Sequence, residues 1–120
     1  MEKAKNKYDL EERTAKLWEL VIGFCKTLKQ DHISRPVINQ LVRSATSIGA
    51  NYVEANGASS KKDFRNKIFI CKKESQETKH WLRMIVSCFP EEKEKAGELW
   101  QECQELTLIF HKIASSSAWF

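Results

Sequence analysis

Apolar residues recur along the chain at alternating steps of three and four positions, the spacing that places them on one face of an α-helix. Four stretches of this kind predict helices at residues 9–30, 35–56, 61–88 and 91–114. The third stretch has the most regular seam: Phe64, Ile68, Cys71, Ser75, Thr78, Leu82, Ile85 and Phe89. No stretch alternates with a period of two, so no strand is predicted. The sequence therefore predicts an all-α protein, one antiparallel up-down-up-down four-helix bundle over residues 1–120.

The residues at the predicted helix ends are those that begin and end helices. Asp9, Ser34 and Ser60 are candidate N-caps, because their side-chain oxygens can accept a hydrogen bond from a free N–H of the first turn. Gly57 is expected to end the second helix in a left-handed conformation, and Pro90 to stop the third.

Composition fits a single helical domain without a membrane span. The chain has 120 residues, of which 42% are hydrophobic and 30% charged. No apolar run approaches the roughly 20 residues that a span needs, and the N-terminal stretch lacks the apolar segment of a secretory signal.

Cys25, Cys71, Cys88 and Cys103 are isolated and lie on or near apolar stripes. Lone cysteines of this kind are interpreted as buried free thiols in a cytoplasmic protein.

The second predicted helix has a polar edge beside its buried face, formed by Gln40, Arg43, Ser44, Ser47, Asn51 and Glu54. One interpretation is a solvated surface. The other is an edge that packs closely against another helix. Serine and asparagine are poorer choices for a solvated helix surface than lysine, glutamate or glutamine, which favours close packing. Gly49 would also permit a close approach of backbones.

A close-packed edge needs partners for its charges, because an unpaired buried charge costs several kcal/mol. The third helix offers Lys67, Glu74 and Glu77 at the edge of its seam. The predicted pairs are Arg43 with Glu74 or Glu77, and Lys67 with Glu54. Spacing leaves open whether these contacts lie within one subunit or between subunits. The predicted assembly network consists of Arg43, Ser44, Ser47, Asn51, Glu54, Glu74 and Glu77.

The charge is unevenly spread. Residues 60–88 hold eight basic and three acidic side chains, a net of +5, whereas residues 90–114 hold three basic and six acidic, a net of −3. Five cations of the third helix follow steps of 4, 7, 7 and 4 and are called the basic row: Lys61, Arg65, Lys72, Lys79 and Arg83. Such a row, with Phe69 beside it, can follow a phosphate backbone and stack a base. The alternative is a solvated face whose lysine stems cover the seam.

Signals of enzyme chemistry are weak. Glu77-x-x-His80 has the spacing of a metal-ligand pair, but a carboxylate-bridged site needs a second such motif, and His111 is preceded by Leu108 at that spacing. The four glycines are not clustered, so no phosphate-binding loop is predicted. The sequence predicts a protein with no catalytic residue, metal, cofactor or small-molecule substrate.

A family resemblance spans residues 40–85, which read QLVRSATSIGANYVEANGASSKKDFRNKIFICKKESQETKHWLRMI. The strings R-S-x-T-S-I-G-A-N, E-A, S-K-x-D-F and K-E-x-x-E-T-x-x-W-L follow one another there. In this pattern the chain resembles the bacterial four-helix-bundle proteins related to those encoded in intervening sequences of large-subunit ribosomal RNA genes. Ala45 and Cys71 depart from the pattern, where Gly and Ala are common.

The resemblance implies a homo-oligomer, because relatives form homopentameric rings. It brings no catalytic residues. One relative, the accessory variability determinant of diversity-generating retroelements, is a basic pentamer that binds its reverse transcriptase and nucleic acid. Two hypotheses follow for this chain. It is an oligomer that binds RNA or DNA, or a nucleic-acid enzyme such as a reverse transcriptase, through the basic row. Alternatively, it is a scaffold that engages only protein, through Val42 and Val53 or the tail at 115–120.

Overall fold

The computed structural model describes residues 9–116, which form four α-helices joined by short links. The helices are α1 (Leu10–Lys26), α2 (Ser34–Asn56), α3 (Lys61–Cys88) and α4 (Lys93–Ser115), and a 3₁₀ turn at Pro90–Glu92 precedes α4. The described part of the chain contains no strand. The all-α class is therefore confirmed.

The predicted seams meet in one core between the helices. Its largest side chains, each at most 1% exposed, come from all four helices: Leu17, Val21, Leu41, Ile48, Ile68, Leu82, Ile85, Leu106 and Phe110. Each such side chain contributes about 1.5–3 kcal/mol when it leaves water. Burial on this scale outweighs intrinsic helix propensity, so packing of the apolar stripes holds the helices in place.

Two of the three predicted N-caps are present. Asp9 Oδ1 accepts from the N–H of Glu12 at 3.3 Å, and Ser60 Oγ accepts from the N–H of Asp63 at 3.0 Å. The third prediction, Ser34, is wrong, because Ser34 is already the first helical residue of α2. Asp31 takes the capping role instead, since its Oδ1 accepts from the N–H groups of Ile33 at 2.9 Å and Ser34 at 2.8 Å.

Two helix ends and one helix start also differ from expectation. The first helix ends at Lys26 rather than 30, because the Thr27 hydroxyl donates to the Phe24 carbonyl at 2.7 Å and the chain tightens into a turn. Gly57 has a φ of −100°, so α2 ends without the predicted left-handed residue. The fourth helix begins at Lys93 rather than 91, because the chain after Pro90 first forms the 3₁₀ turn.

Side-chain pairs show how the helices run. Glu54, late in α2, pairs with Lys67, early in α3, whereas Arg43, earlier in α2, pairs with Glu77, later in α3, so these two helices are antiparallel. The α3–α4 pairs follow the same rule. Of the neighbouring helices, α1 and α4 touch least, and a groove runs between them. Within residues 9–116, no helix is both long and apolar enough to cross a membrane.

Candidate nucleic-acid interface

The polar edge of α2 lies against α3 within the same chain. Arg43 reaches two carboxylates, with Nη2 2.6 Å from Glu77 Oε1 and Nη1 3.4 Å from Glu74 Oε1. Lys67 Nζ lies 2.7 Å from Glu54 Oε1, and this hydrogen bond raises the pKa of Lys67. Both predicted ion pairs are therefore present. Because Arg43, Glu54 and Glu77 are each about half exposed, the Arg43–Glu77 and Glu54–Lys67 pairs position α2 on α3 more than they stabilise it.

The small polar residues of this edge are satisfied locally. Ser44 is buried and meets the Thr78 hydroxyl at 2.9 Å. The Ser47 hydroxyl donates to the Arg43 carbonyl at 2.8 Å, and the Asn51 amide donates to the Ser47 carbonyl at 2.8 Å. The predicted network thus has its partners inside one subunit, and these contacts do not call for a second copy. Its role in assembly stays a prediction.

Gly49 belongs to a different contact from the one expected. A Cβ atom at this position would lie 3.2 Å from Thr14 Oγ1 on α1. The close approach that this glycine permits is therefore between α2 and α1, on the apolar side of α2, and not between α2 and α3.

The basic row lies along the edge where α3 meets α4. Lys72 Nζ lies 3.0 Å from His111 Nδ1, and Lys79 Nζ donates to Gln104 Oε1 at 2.6 Å. An ammonium has only protons to donate, so His111 Nδ1 is the acceptor. Lys61, Arg65 and Arg83 are exposed. Within residues 9–116, Lys72 and Lys79 form no salt bridge, so their charge is not cancelled by a carboxylate.

Two acidic side chains of α4 form ion pairs with another helix, and both pairs are with α1. Glu102 accepts two hydrogen bonds from Arg13, at 2.7 and 3.0 Å, and Glu105 accepts one at 3.1 Å. The hydrogen bond to Glu102 raises the pKa of Arg13. Glu98 lines the groove between α1 and α4. The helix is acidic on its α1 side and uncharged where it meets Lys72 and Lys79.

Two exposed aromatic rings accompany the basic row. Phe69 is 46% exposed, and the guanidinium carbon of Arg65 lies 5.9 Å from its ring centre. Trp100 of α4 is 38% exposed, and Lys79 Nζ lies 5.1 Å from its ring centre. Both distances suit cation–π contacts.

The sequence pattern indicates Phe69 but not the side chains that α4 brings to this edge. Trp100, Gln104 and His111 are separated by steps of 4 and 7, the same steps that separate the cations of α3. That spacing was the available signal. Only the register between α3 and α4 places these residues beside Lys72 and Lys79.

The cysteines are free, and three of them are buried. Desolvation raises the pKa of the Cys25 thiol to about 11 and those of Cys71 and Cys103 to about 12. Such thiols are poor nucleophiles, because the thiolate is the reactive form. Cys88 is half-buried. Among residues 9–116, no group of three or more His, Cys, Asp or Glu side chains is arranged to hold a metal ion.

These features define a small all-α bundle with one cationic, aromatic-bearing edge. The chain belongs to the 23S rRNA-intervening sequence protein family, whose profile matches residues 6–112. It is also similar to a solved structure, a protein of unknown function from the S23 ribosomal protein family of Bacteroides thetaiotaomicron. The two superpose with a TM-score of 0.80 and share 27% sequence identity, over 88% of this chain and 98% of that one. No curated protein matches the chain.

Proposed function

We propose that this protein acts without catalysis, as a homo-oligomeric bundle that binds nucleic acid through the basic row of α3. The observation that carries the proposal is the placement of charge on α4. Glu102 and Glu105 are engaged by Arg13, on the side of α4 away from Lys72 and Lys79. Those two lysines meet neutral side chains instead, so the strip keeps its positive field.

A solvated helix face is the competing interpretation of the basic row. Two features favour binding. The cations form one continuous strip over most of α3, which matches the linear array of phosphates in a nucleic-acid strand. Two exposed aromatic rings lie beside the cations, Phe69 next to Arg65 and Trp100 next to Lys79. Burying a large aromatic ring lowers the free energy, so a ring left exposed beside cations suits a surface that stacks on bases.

The oligomeric part of the proposal is supported by the groove between α1 and α4 and by the ring assemblies that the family resemblance implies. The groove has a volume of about 540 Å³ and is lined by Leu17, Leu20, Phe24 and Leu99. Leu20 is 50% exposed. Lysine and glutamate side chains of both helices also line the groove, so a second copy can pair charge with charge there. A pentamer would repeat the basic row five times and sum its field.

Binding is tested by titrating labelled RNA and DNA with the protein at several salt concentrations. The expected result is an affinity that falls steeply with salt, because bound phosphates release counterions. Reversing Arg65 and Lys72 together, as R65E/K72E, is expected to weaken binding at least about tenfold. The control is K26E/R35E, which makes the same change of net charge at exposed positions of α1 and α2. Binding that is indifferent to salt and equal in both variants would contradict the proposal.

Assembly is tested separately by light scattering coupled to gel filtration. A pentamer of the 14.0 kDa chain has a mass of about 70 kDa. A 14.0 kDa species at micromolar concentration would contradict the proposal that the protein is a homo-oligomer.

The protein-only scaffold has one specific observation in its favour. Val53 is 56% exposed, whereas Val42 is partly buried against the core, and residues 117–120 of the tail lie outside the described residues. Capture of protein partners that survives nuclease treatment, with no shift of RNA or DNA, would support this alternative over nucleic-acid binding.

A further inference from the structure

Trp100 lies at the mouth of a second groove, between the end of α3 and the start of α4. The groove has a volume of about 630 Å³. Eight residues line it: Leu82, Arg83, Val86, Ser87, Lys93, Ala96, Gly97 and Trp100. None of the eight is acidic. A Cβ atom added at Gly97 would meet nothing within 4 Å, so the groove is open to a ligand at this position.

The groove combines a flat aromatic ring with cations. Leu82 and Ala96 are buried and close its base, and Trp100 forms an exposed wall. Lys79 Nζ lies 5.1 Å from the Trp100 ring centre, while Arg83 and Lys93 stand at the lining. A planar ring beside positive groups matches a nucleotide, which joins a planar base to a phosphate.

Phe69 provides a second ring farther along the same edge, next to Arg65. Phe69 and Lys79 are ten positions apart on α3, a rise of about 15 Å along the helix axis. A stacked strand advances about 3.4 Å per nucleotide, so the two rings are roughly four nucleotides apart. Lys72 lies between them on the same line. One strand can therefore contact both rings and the intervening cations.

We propose that the basic row binds unpaired strands, with a base stacked on the indole of Trp100 and the adjacent phosphates on Lys79, Arg83 and Lys93. This inference rests on the proposed function and specifies its ligand. In a duplex the bases are stacked inside the helix, so an indole at the edge of α4 does not reach a base face. A strand that is already single needs no unpairing and exposes every base.

The test uses the full chain and a labelled single strand of about 12 nucleotides, made as RNA and as DNA, together with the duplex each forms with its complement. The expected result is tighter binding of the single strand than of the duplex at the same salt concentration. W100L is expected to weaken single-strand binding roughly 5- to 150-fold, the range for loss of one stacked base. W100F, which keeps an aromatic ring, is the matched control and is expected to retain most of the affinity.

Salt dependence separates stacking from charge. W100L is expected to leave the slope of log K against log salt unchanged, because a stacked ring displaces no counterion. The variant K79Q/R83Q is expected to reduce that slope by about 1.4, which corresponds to two phosphate contacts of a single strand. Circular dichroism confirms that each variant is folded.

The outcomes distinguish this inference from the proposed function. Salt-dependent binding that prefers the duplex, or that is unaffected by W100L, would overturn the inference and leave the proposed function standing. The absence of salt-dependent binding to any of the four probes would overturn both.

Discussion

The hydroxyls of Ser44 on α2 and Thr78 on α3 lie 2.9 Å apart at the centre of the α2–α3 interface, and both side chains have 0% exposure. Each hydroxyl also has a backbone carbonyl of its own helix nearby, that of Leu41 at 3.3 Å and that of Glu74 at 2.8 Å. The pair thus fixes the register of two helices with no unsatisfied hydroxyl between them.

A double-mutant cycle tests this pair. S44A and T78V change shape little, and each removes the hydrogen bond between the two helices while the remaining hydroxyl keeps the backbone carbonyl of its own helix. Each is expected to cost about 0.5–1.5 kcal/mol of unfolding free energy, the net contribution of one hydrogen bond. The double variant removes both polar groups and is expected to cost less than the sum of the single variants. Urea unfolding at fixed protein concentration provides the measurement. Effects that add within about 0.5 kcal/mol would show that the hydroxyls do not interact.

Much of the fold could be predicted because the buried positions of a helix recur every three to four residues, and this spacing is visible in the sequence. A residue such as Ile48 or Leu106 faces the core regardless of the conformation of the loops, so its burial follows from the spacing alone. The ion pairs Arg43–Glu77 and Glu54–Lys67 could also be predicted, because consecutive helices joined by a short link are antiparallel and their edges face each other.

The remaining features depend on geometry that the spacing of apolar residues does not encode. The pairing of Lys79 with Trp100 needs the axial register of α3 and α4, which is set by side-chain packing between the two helices. The cap at Asp31 depends on the path of the loop between α1 and α2. This path places the Asp31 carboxylate where it accepts from the backbone N–H of Ser34. The early end of α1 depends on the Thr27 hydroxyl, a local bond that competes with a helical one.

Two helical glycines give contrasting predictions. A Cβ atom added at Gly23 of α1 would meet nothing within 4 Å, so G23A is expected to stabilise the protein by about 0.5–1 kcal/mol through helix propensity. G49A gains the same propensity but places its Cβ 3.2 Å from Thr14 Oγ1. The Thr14 hydroxyl donates to the Leu10 carbonyl at 2.8 Å, so moving its oxygen away from the new Cβ atom would weaken this hydrogen bond.

Thermal unfolding of G49A and G23A, measured side by side, checks the difference. G49A is expected to fall short of G23A by at least about 0.5 kcal/mol. Equal stabilisation by both substitutions would mean that α1 and α2 separate freely at this crossing.

The cap of α2 predicts a pH dependence. The backbone N–H of Ser34 is the largest of the contacts that lower the pKa of Asp31 below its ordinary value of 3.8. A carboxyl with a lowered pKa stabilises the fold above its unfolded value, and that contribution is lost as pH falls through the folded value. The amide of D31N still offers an oxygen but does not titrate.

The measurement is the urea midpoint of wild type and D31N from neutral pH down to below 3.8. Wild type is expected to be the more stable at neutral pH, and the gap is expected to narrow as the pH falls below 3.8. All other carboxyls are shared, so the difference isolates Asp31. A gap that does not change with pH would indicate that the carboxylate charge contributes nothing to the cap.

Arg13 holds the edge of the bundle where the helices touch least. Its guanidinium binds Glu102 through two nitrogens, and its side chain is only 20% exposed. R13M is expected to reduce the unfolding free energy by about 1 kcal/mol, because a bidentate, partly buried pair lies at the upper end of the range for surface ion pairs. The loss is expected to shrink at high salt, which screens the pair in wild type.

R35M is the matched control, because Arg35 is an exposed arginine of α2 and its substitution is expected to change stability by less than about 0.5 kcal/mol. Hydrogen exchange gives the local readout. Amides of α1 are expected to exchange faster in R13M while amides in the centre of α3 keep their protection, because α3 packs against both α2 and α4 and does not depend on this pair. Uniform acceleration across all four helices would instead mean that α1 does not open as a separate unit.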